Sequence, residues 1–324
     1  MPPSVSVALC TYNGERYVEE QLRTILAQET PAMEVVVSDD GSTDDTVAIV
    51  KAIAASAPDA TPIRLVHIER VGGVARNFDR AIAECRGDIV ALSDQDDRWS
   101  PDRLTTIVAV LSGHTAPSLV FGDATLIDAG GDVLPGTLRG GLRLTRSERE
   151  SLEGGRPFEA LIRRNLVTGA VAAFTRDLYE LSAPFPDLWV HDEWLAIMAA
   201  GLGRVIPTTE VLGAYRLHDS NQIGIPDGSV GSRLNRMLAP RADRYVRLRD
   251  RTAALAARLD ERGAPERVLA LARRKEAFEA VRASYPRRRL ARVAPVLAQL
   301  ARGNYRRLSS QGGLDVLRDL AQPA

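Results

Sequence analysis

Ile89-Val-Ala-Leu-Ser-Asp-Gln-Asp-Asp-Arg-Trp99 is an apolar run that drives straight into three carboxylates, Asp94, Asp96 and Asp97. A short apolar segment bounded by polar residues reads as a buried strand. If extended geometry persists to the strand end, Asp94 and Asp96, two apart, project to the same side, while Asp97 begins the turn. Two carboxylates on one side repel, and a hard divalent cation with oxygen ligands, Mg²⁺ or Mn²⁺, relieves the repulsion. An isolated Asp-x-Asp is also a common solvated turn, so the neighbouring segments have to decide.

Upstream, residues 4–10 read as a buried strand, Thr11-Tyr12-Asn13-Gly14 as polar turn chemistry, and residues 15–28 as a helix. A second strand, 33–38, runs into Asp39-Asp-Gly-Ser-Thr-Asp-Asp-Thr46, where Ser42 and Asp45 have capping-box spacing before a helix over 46–57. A third strand at 63–68, a Gly72-Gly73 turn and a helix at 74–84 lead back to Ile89. Strands alternating with helices predict an α/β fold: a parallel sheet with covered faces. Such sheets bind ligands beyond the carboxyl ends of their strands. Thr11-Tyr12-Asn13, Asp39-Asp40 and Asp94-Gln95-Asp96 all fall there, and three polar clusters on one edge are hard to dismiss as three solvated turns.

Downstream, the spacing predicts strands at 119–122, 169–174 and 211–218, a short helix at 157–164, a helix beginning near His191, and mobile surface loops over 128–156. After Gly231 the texture becomes Arg, Ala and Leu at helical spacing. The expected organisation is a catalytic domain over 1–228 and a basic helical region over 229–324.

Composition agrees with a large soluble core: 324 residues, 45% hydrophobic and 26% charged. The formal net charge of zero hides a split, with 20 Lys+Arg against 33 Asp+Glu in residues 1–229 and 22 against 9 in residues 230–324. An acidic body suits a metal site; a basic tail suits an anionic membrane surface, a phosphate-bearing acceptor, the acidic body itself or a second subunit. Cys10 and Cys85 stand apart from any ligand-spaced pair and read as buried thiols of a reducing compartment. With no basic leader before the first apolar segment and no apolar run of 18 residues, the chain is expected in the cytoplasm, or peripherally at the inner face of the membrane. No nucleic-acid partner is expected.

Neither a Gly-x-Gly-x-x-Gly fingerprint nor a Walker sequence is present, so a nucleotide would be held by other means. A strand-end aspartate such as Asp39 can accept a pyrimidine imide N–H, Tyr12 can stack on the base, and a cation on Asp94 and Asp96 can take the diphosphate.

At this point the chain resembles the inverting GT-A glycosyltransferases of bacterial family 2. Val5-Ser-Val-Ala-Leu-Cys-Thr-Tyr-Asn-Gly14 looks like that family's opening strand and nucleotide loop, Val37-Ser-Asp-Asp-Gly-Ser-Thr-Asp44 its second signature, and Leu92-Ser-Asp-Gln-Asp-Asp-Arg-Trp99 its metal-binding Asp-x-Asp. His191-Asp-Glu-Trp-Leu195 sits where the family places its catalytic base, and Tyr215-Arg-Leu-His-Asp-Ser-Asn-Gln-Ile-Gly224 looks like a segment of its rhamnosyltransferase-like branch. The resemblance implies a GT-A fold, a mixed, mostly parallel sheet with helices on both faces and a helical C-terminal appendage, and nucleoside contacts from Thr11, Tyr12, Asn13, Glu15, Asp39 and Asp40. It puts Asp94 at the ribose or donor sugar, Asp96 on the metal, Asp97 in support, and His218 as a completing ligand or a packed imidazole. The implied reaction is a single inverting displacement from a dTDP- or UDP-linked sugar, rhamnose or another deoxysugar among the candidates. The acceptor would be a hydroxyl of a glycan, lipid-linked or small-molecule compound. Asp192 is favoured as general base over its neighbour Glu193, which would support it. Trp99 and Trp194 are candidates to stack on sugars or simply to pack, and Gly169 to admit an acceptor or simply to sit in a strand.

The rivals are a polyprenyl-phosphate sugar synthase, which would usually add membrane helices, and a non-catalytic metal-binding module, for which the EF-hand spacing is missing. A haloacid-dehalogenase-type phosphatase would need Thr or Val where Arg98 stands.

Overall fold

The computed structural model describes residues 2–57, 59, 61–218 and 244–323. Nine strands among them form one sheet: β1 (Val5–Thr11), β2 (Glu34–Asp39), β3 (Ile63–His67), β4 (Ile89–Asp94), β5 (Arg98–Trp99), β6 (Ser118–Ile127), β7 (Val133–Thr137), β8 (Ala172–Thr175) and β9 (Arg204–Arg216). Their order is β3-β2-β1-β4-β8-β6-β9-β5, with β7 paired to β6. Following the pairings outward from β1, β2, β3, β4, β6 and β9 run its way, while β5, β7 and β8 run against it. The sheet is therefore mixed and mostly parallel, as the resemblance implied; the alternation alone had predicted parallel strands and did not foresee β5, β7 and β8.

β1 is buried along its whole length because it has neighbours on both sides and helices on both faces. Val5, Val7 and Leu9 point into a core shared with the helices Val18–Leu26, Thr46–Ser56 and Arg103–Leu111. The opposite face packs on the helix Val74–Glu84, through Phe78, Ala81 and Ile82, and Phe78 in turn stacks on His191 at the start of the helix His191–Leu202. Register decides what this core carries at its end: Thr11 pairs with Asp39, and Cys10 with Asp94. The three polar clusters picked out in the sequence thus end three adjacent strands at one level. Cys10 and Cys85 are both free and buried.

Four local expectations are corrected. Residues 128–156 are not all loop, since β7, a short helix Leu138–Gly141 and a helix Arg146–Glu153 form there; Leu138 and Leu152 are buried. The expected strand 169–174 begins as a 3-10 turn, Gly169–Val171, and only then becomes β8. β9 starts at Arg204 rather than 211, passing Pro207 opposite Phe121 just before the register with β6 shifts. Ser42 makes no capping box with Asp45: its hydroxyl goes to Asp39, and Asp44 accepts instead from the Thr46 amide and hydroxyl.

By contacts the chain forms two compact units, residues 1–153 with 166–225, and residues 154–165 with 226–324. The sequence expectation had left 154–165 with the sheet, and its break at 228/229 falls outside the described residues. Among the described residues the second unit is helical: Pro157–Leu161, Arg244–Glu261, Glu266–Ala283, Val293–Ala301, Asn304–Leu308 and Gly313–Ala321. Its apolar core of Phe278, Tyr285, Val296, Tyr305 and Leu308 is backed by a buried charge network. There Lys275 pairs with Glu279 at 2.6 Å and Arg282 with Asp319 at 2.7 Å. No described helix is long and apolar enough to cross a membrane.

Candidate active site

A cleft of about 1230 Å³ opens beyond the carboxyl ends of β1 and β4, wholly within the sheet unit. Its lining includes Thr11, Tyr12, Asn13, Glu15, Asp40, Asp94, Asp96, Gly169, Asp192 and His218. Asp39, Asp97, Trp99, Glu193 and Trp194 do not line it.

The loop after β1 is held in place by side chains from its neighbours. Asn13 takes a left-handed conformation, φ 48°, which asparagine tolerates, donating its amide to Ser42 Oγ and accepting from the Thr43 amide. Glu15 accepts from the Asp45 amide at 3.0 Å. Gln95 bridges the Tyr12 backbone, accepting its N–H at 2.8 Å and donating to its carbonyl at 3.0 Å. Gly14 is required for this approach, because a Cβ there would meet the Gln95 carboxamide oxygen at 2.1 Å. The chain bends after Asp94, so extended geometry stops there; Asp94 and Asp96 still reach the same cleft, by way of that bend.

Asp39 is corrected from a direct base contact to a support beneath the loop. It is 1% exposed, accepting from Thr11 Oγ1 at 2.7 Å, the Ser42 amide at 2.7 Å and Ser42 Oγ at 2.5 Å. Asp40 accepts the amides of Val71, Gly72 and Gly73, pinning the turn before the helix Val74–Glu84. Burial alone would raise its pKa, but these three amides more than offset that and hold it below the ordinary value.

The acidic end of β4 is stapled to the end of β9 by Arg216, a residue whose weight the sequence reading missed although it lies in the quoted Tyr-Arg-x-His segment. Arg216 is buried; its amide donates to Asp97 Oδ1 at 3.0 Å, its Nε to the Asp96 carbonyl at 2.7 Å, and its Nη2 pairs with Glu20 at 2.6 Å. This explains why Asp97 is turned from the cleft, with its Oδ2 buried and unpartnered. Trp99 is likewise taken by packing, its ring 3.9 Å from the Arg103 guanidinium, and Trp194 is fully buried with Nε1 donating to the Ser182 carbonyl. Neither can stack on a sugar.

Across the cleft, the Gly169 amide donates to Asp192 Oδ2 at 3.0 Å and the Glu193 amide to Asp192 Oδ1 at 2.6 Å. The carboxylate is therefore fixed in orientation, while Glu193, next along the helix, is rotated away from the cleft. Gly169 owes its place to His191: a Cβ would lie 2.8 Å from His191 Nε2. His191, another residue the sequence reading passed over, is 4% exposed, lines the cleft, and has no hydrogen-bond partner on either ring nitrogen among the described residues. Burial lowers its pKa to about 3, so the ring is neutral.

Burial followed by the charges of Asp96 and Asp192 pushes Asp94 up to about 7. Burial pushes Asp192 up to about 6 against the pull of the Gly169 amide, and burial with Asp96 and Asp94 raises Asp97 well above the ordinary range. The nearby Arg103 cation is itself disfavoured by burial, its pKa lowered to about 9. The site is short of positive charge. His218 Nε2 lies 2.9 Å from Asp96 Oδ2, close to the roughly 3.0 Å between adjacent donors on an octahedral cation with bonds of about 2.1 Å. No group of three His, Cys, Asp or Glu side chains among the described residues is placed to hold a metal by itself. The donor set thus fits a cation that keeps water or substrate oxygens in its shell, which is how Mg²⁺ and Mn²⁺ usually bind.

Strand-end carboxylates facing a polar loop across a cleft, on a mostly parallel sheet, define a class: α/β proteins of GT-A architecture. The chain belongs to glycosyl transferase family 2, whose model matches residues 6–167. It is 27% identical over 229 residues to an uncharacterized glycosyltransferase of Nostoc sp., covering 67% of this chain and 66% of that protein. It is 36% identical over 111 residues to the dTDP-rhamnosyl transferase RfbG of Shigella flexneri, covering 33% of this chain and 38% of that one. The chain thus matches somewhat under two thirds of the first relative and well under half of the second. Among solved structures, S. aureus TarS 1–349 in complex with UDP-GlcNAc superposes with a TM-score of 0.57 at 16% identity, over 97% of this chain and 89% of that one. The mannosyltransferase PcManGT from Pyrobaculum calidifontis, in complex with GDP-Man and Mn²⁺, gives 0.53 at 22%, over 99% and 86%. At these identities the likeness is one of fold.

Proposed function

We propose that this chain transfers a sugar from a nucleoside-diphosphate donor to an acceptor hydroxyl by a single inverting displacement. One observation carries the reading: Thr11–Asn13, Asp94, Asp96 and Asp192 line one cleft, with the carboxylate of Asp192 fixed by two amides. Asp192 takes the proton of the acceptor hydroxyl, the oxygen attacks the anomeric carbon opposite the diphosphate, and the bond to the diphosphate breaks with inversion. Asp96, His218 and Asp94 are the residues that would hold a divalent cation. Bound there, it would neutralise charge on the departing diphosphate. Glu193 serves by its backbone amide, and His191 offers a neutral imidazole to a hydroxyl of the donor or acceptor.

Asp39, committed to Thr11 and Ser42, shapes the loop from beneath. The donor is dTDP- or UDP-linked, and Tyr12, which lines the cleft, stacks on its base. The likeness to a dTDP-rhamnosyl transferase makes dTDP-rhamnose the first sugar to try. The acceptor is a glycan, lipid-linked or small-molecule hydroxyl.

Calorimetry of Mn²⁺ with dTDP or UDP tests the site. Asp96→Ala should remain folded by circular dichroism and lose metal-dependent nucleotide binding; undiminished binding would remove Asp96 from the site.

A further inference from the structure

After Ser284, up to Pro323, the chain carries two carboxylates, Asp315 and Asp319, and both are buried. Asp319 pairs with Arg282 and accepts from the hydroxyls of Tyr245 and Tyr305, while Asp315 pairs with Arg318 at 2.9 Å. The outer surface of this segment therefore shows no acid. It does show Arg287, Arg288, Arg289, Arg302, Arg306 and Arg307, all exposed and none in an ion pair among the described residues.

The same segment also exposes large apolar side chains between its arginines. Leu290 is 88% exposed, and Val293, Leu297 and Leu300 are exposed on the helix Val293–Ala301. At about 100° per residue these last three fall within roughly 60° of one another. Leu314 and Leu317, also exposed, share a face of the helix Gly313–Ala321, which packs beside that helix. Single exposed leucines are ordinary, but six large apolar side chains grouped on neighbouring helix turns mark a contact surface.

We propose that this face docks on an anionic lipid surface, its leucines entering the boundary between headgroups and acyl chains and its arginines meeting lipid phosphates. Charge decides against a second copy. A two-fold contact would set six unpaired arginines against six, with no exposed carboxylate in the segment to separate them. An anionic bilayer satisfies both kinds of side chain at once, and the docking stands whatever the cleft transfers.

Flotation of the full-length protein with phosphatidylcholine vesicles, alone and mixed with phosphatidylglycerol, tests it at low and high salt. Binding is expected only with the anionic lipid and is expected to weaken as salt screens the arginines. Two exposed-surface variants, Arg287→Glu/Arg288→Glu/Arg289→Glu and Leu297→Ser/Leu300→Ser, should keep the wild-type melting temperature and each lose on the order of tenfold or more in vesicle binding. Absence of flotation at low salt overturns the proposal. So does binding that responds to the arginines but not the leucines, which is plain polyanion attraction. A dimer in solution that Leu297→Ser/Leu300→Ser dissolves would give the face to a second copy instead.

Discussion

Asp192 combines two properties that pull against each other. Burial raises its pKa to about 6, so near neutral pH it is a charged carboxylate held where a neutral one would be easier. A folded-state value above the ordinary 3.8 means that its contribution to stability is present at low pH and lost as pH rises through about 6. The shift of about two units corresponds to roughly 3 kcal/mol. Asp192→Asn is therefore expected to melt at or above the wild-type temperature at pH 7.5, with the difference shrinking below pH 5, while turnover falls by about 10²–10⁴. Calorimetric melts at the two pH values and steady-state rates check this. In the proposed mechanism the deprotonated form is the base, so wild-type kcat/KM should rise with pH through about 6, and a profile flat from pH 5 to 8 would take the base role from Asp192.

At the scale of elements, the Asp192 side of the cleft is one turn packed on one helix start. Arg103, first residue of the helix Arg103–Leu111, donates to the carbonyls of Leu92 in β4 and Ala170 in the Gly169–Val171 turn, fastening the turn to the acidic strand. The turn in turn orients Asp192. Gly169→Ala forces its Cβ against His191 Nε2 and moves the amide that holds the carboxylate. Turnover should fall by about 10²-fold, the usual consequence of a misplacement near 1 Å. Nucleotide affinity, which the proposal assigns to Thr11–Asn13 and the metal site, should change by less than about twofold. Kinetics beside calorimetry separate the two effects; equal losses in both would mean that the turn supports the whole cleft rather than the base.

At the scale of the molecule, the two units have separate cores, one apolar around a sheet and one built around buried charge. Ligands of the cleft stabilise only the unit that binds them. Two calorimetric transitions are expected, of which Mn²⁺ with nucleotide raises one. Asp319→Ala strips Arg282, Tyr245 and Tyr305 of a shared partner and should destabilise the other unit by about 3–5 kcal/mol. A single transition moved alike by both would show that the units unfold together.

The sequence by itself determined the sheet and the edge at which chemistry gathers. Apolar strands alternating with helical periods leave few ways to bury both faces, and each strand's polar residues were already at its end. It also determined that carboxylates dominate that edge. What it left undecided is which of them face the cleft. Asp39, Asp96 and Asp97 look alike in a local pattern, yet Thr11 and Ser42 draw Asp39 under the loop, and the backbone of Arg216, more than 100 residues away, turns Asp97 inward. Trp99 and Trp194 went to packing for the same reason. Orientation depends on hydrogen bonds between residues far apart in the chain. Periodicity and capping signals, which reach only a few residues, cannot carry that information, whereas the assembled fold can.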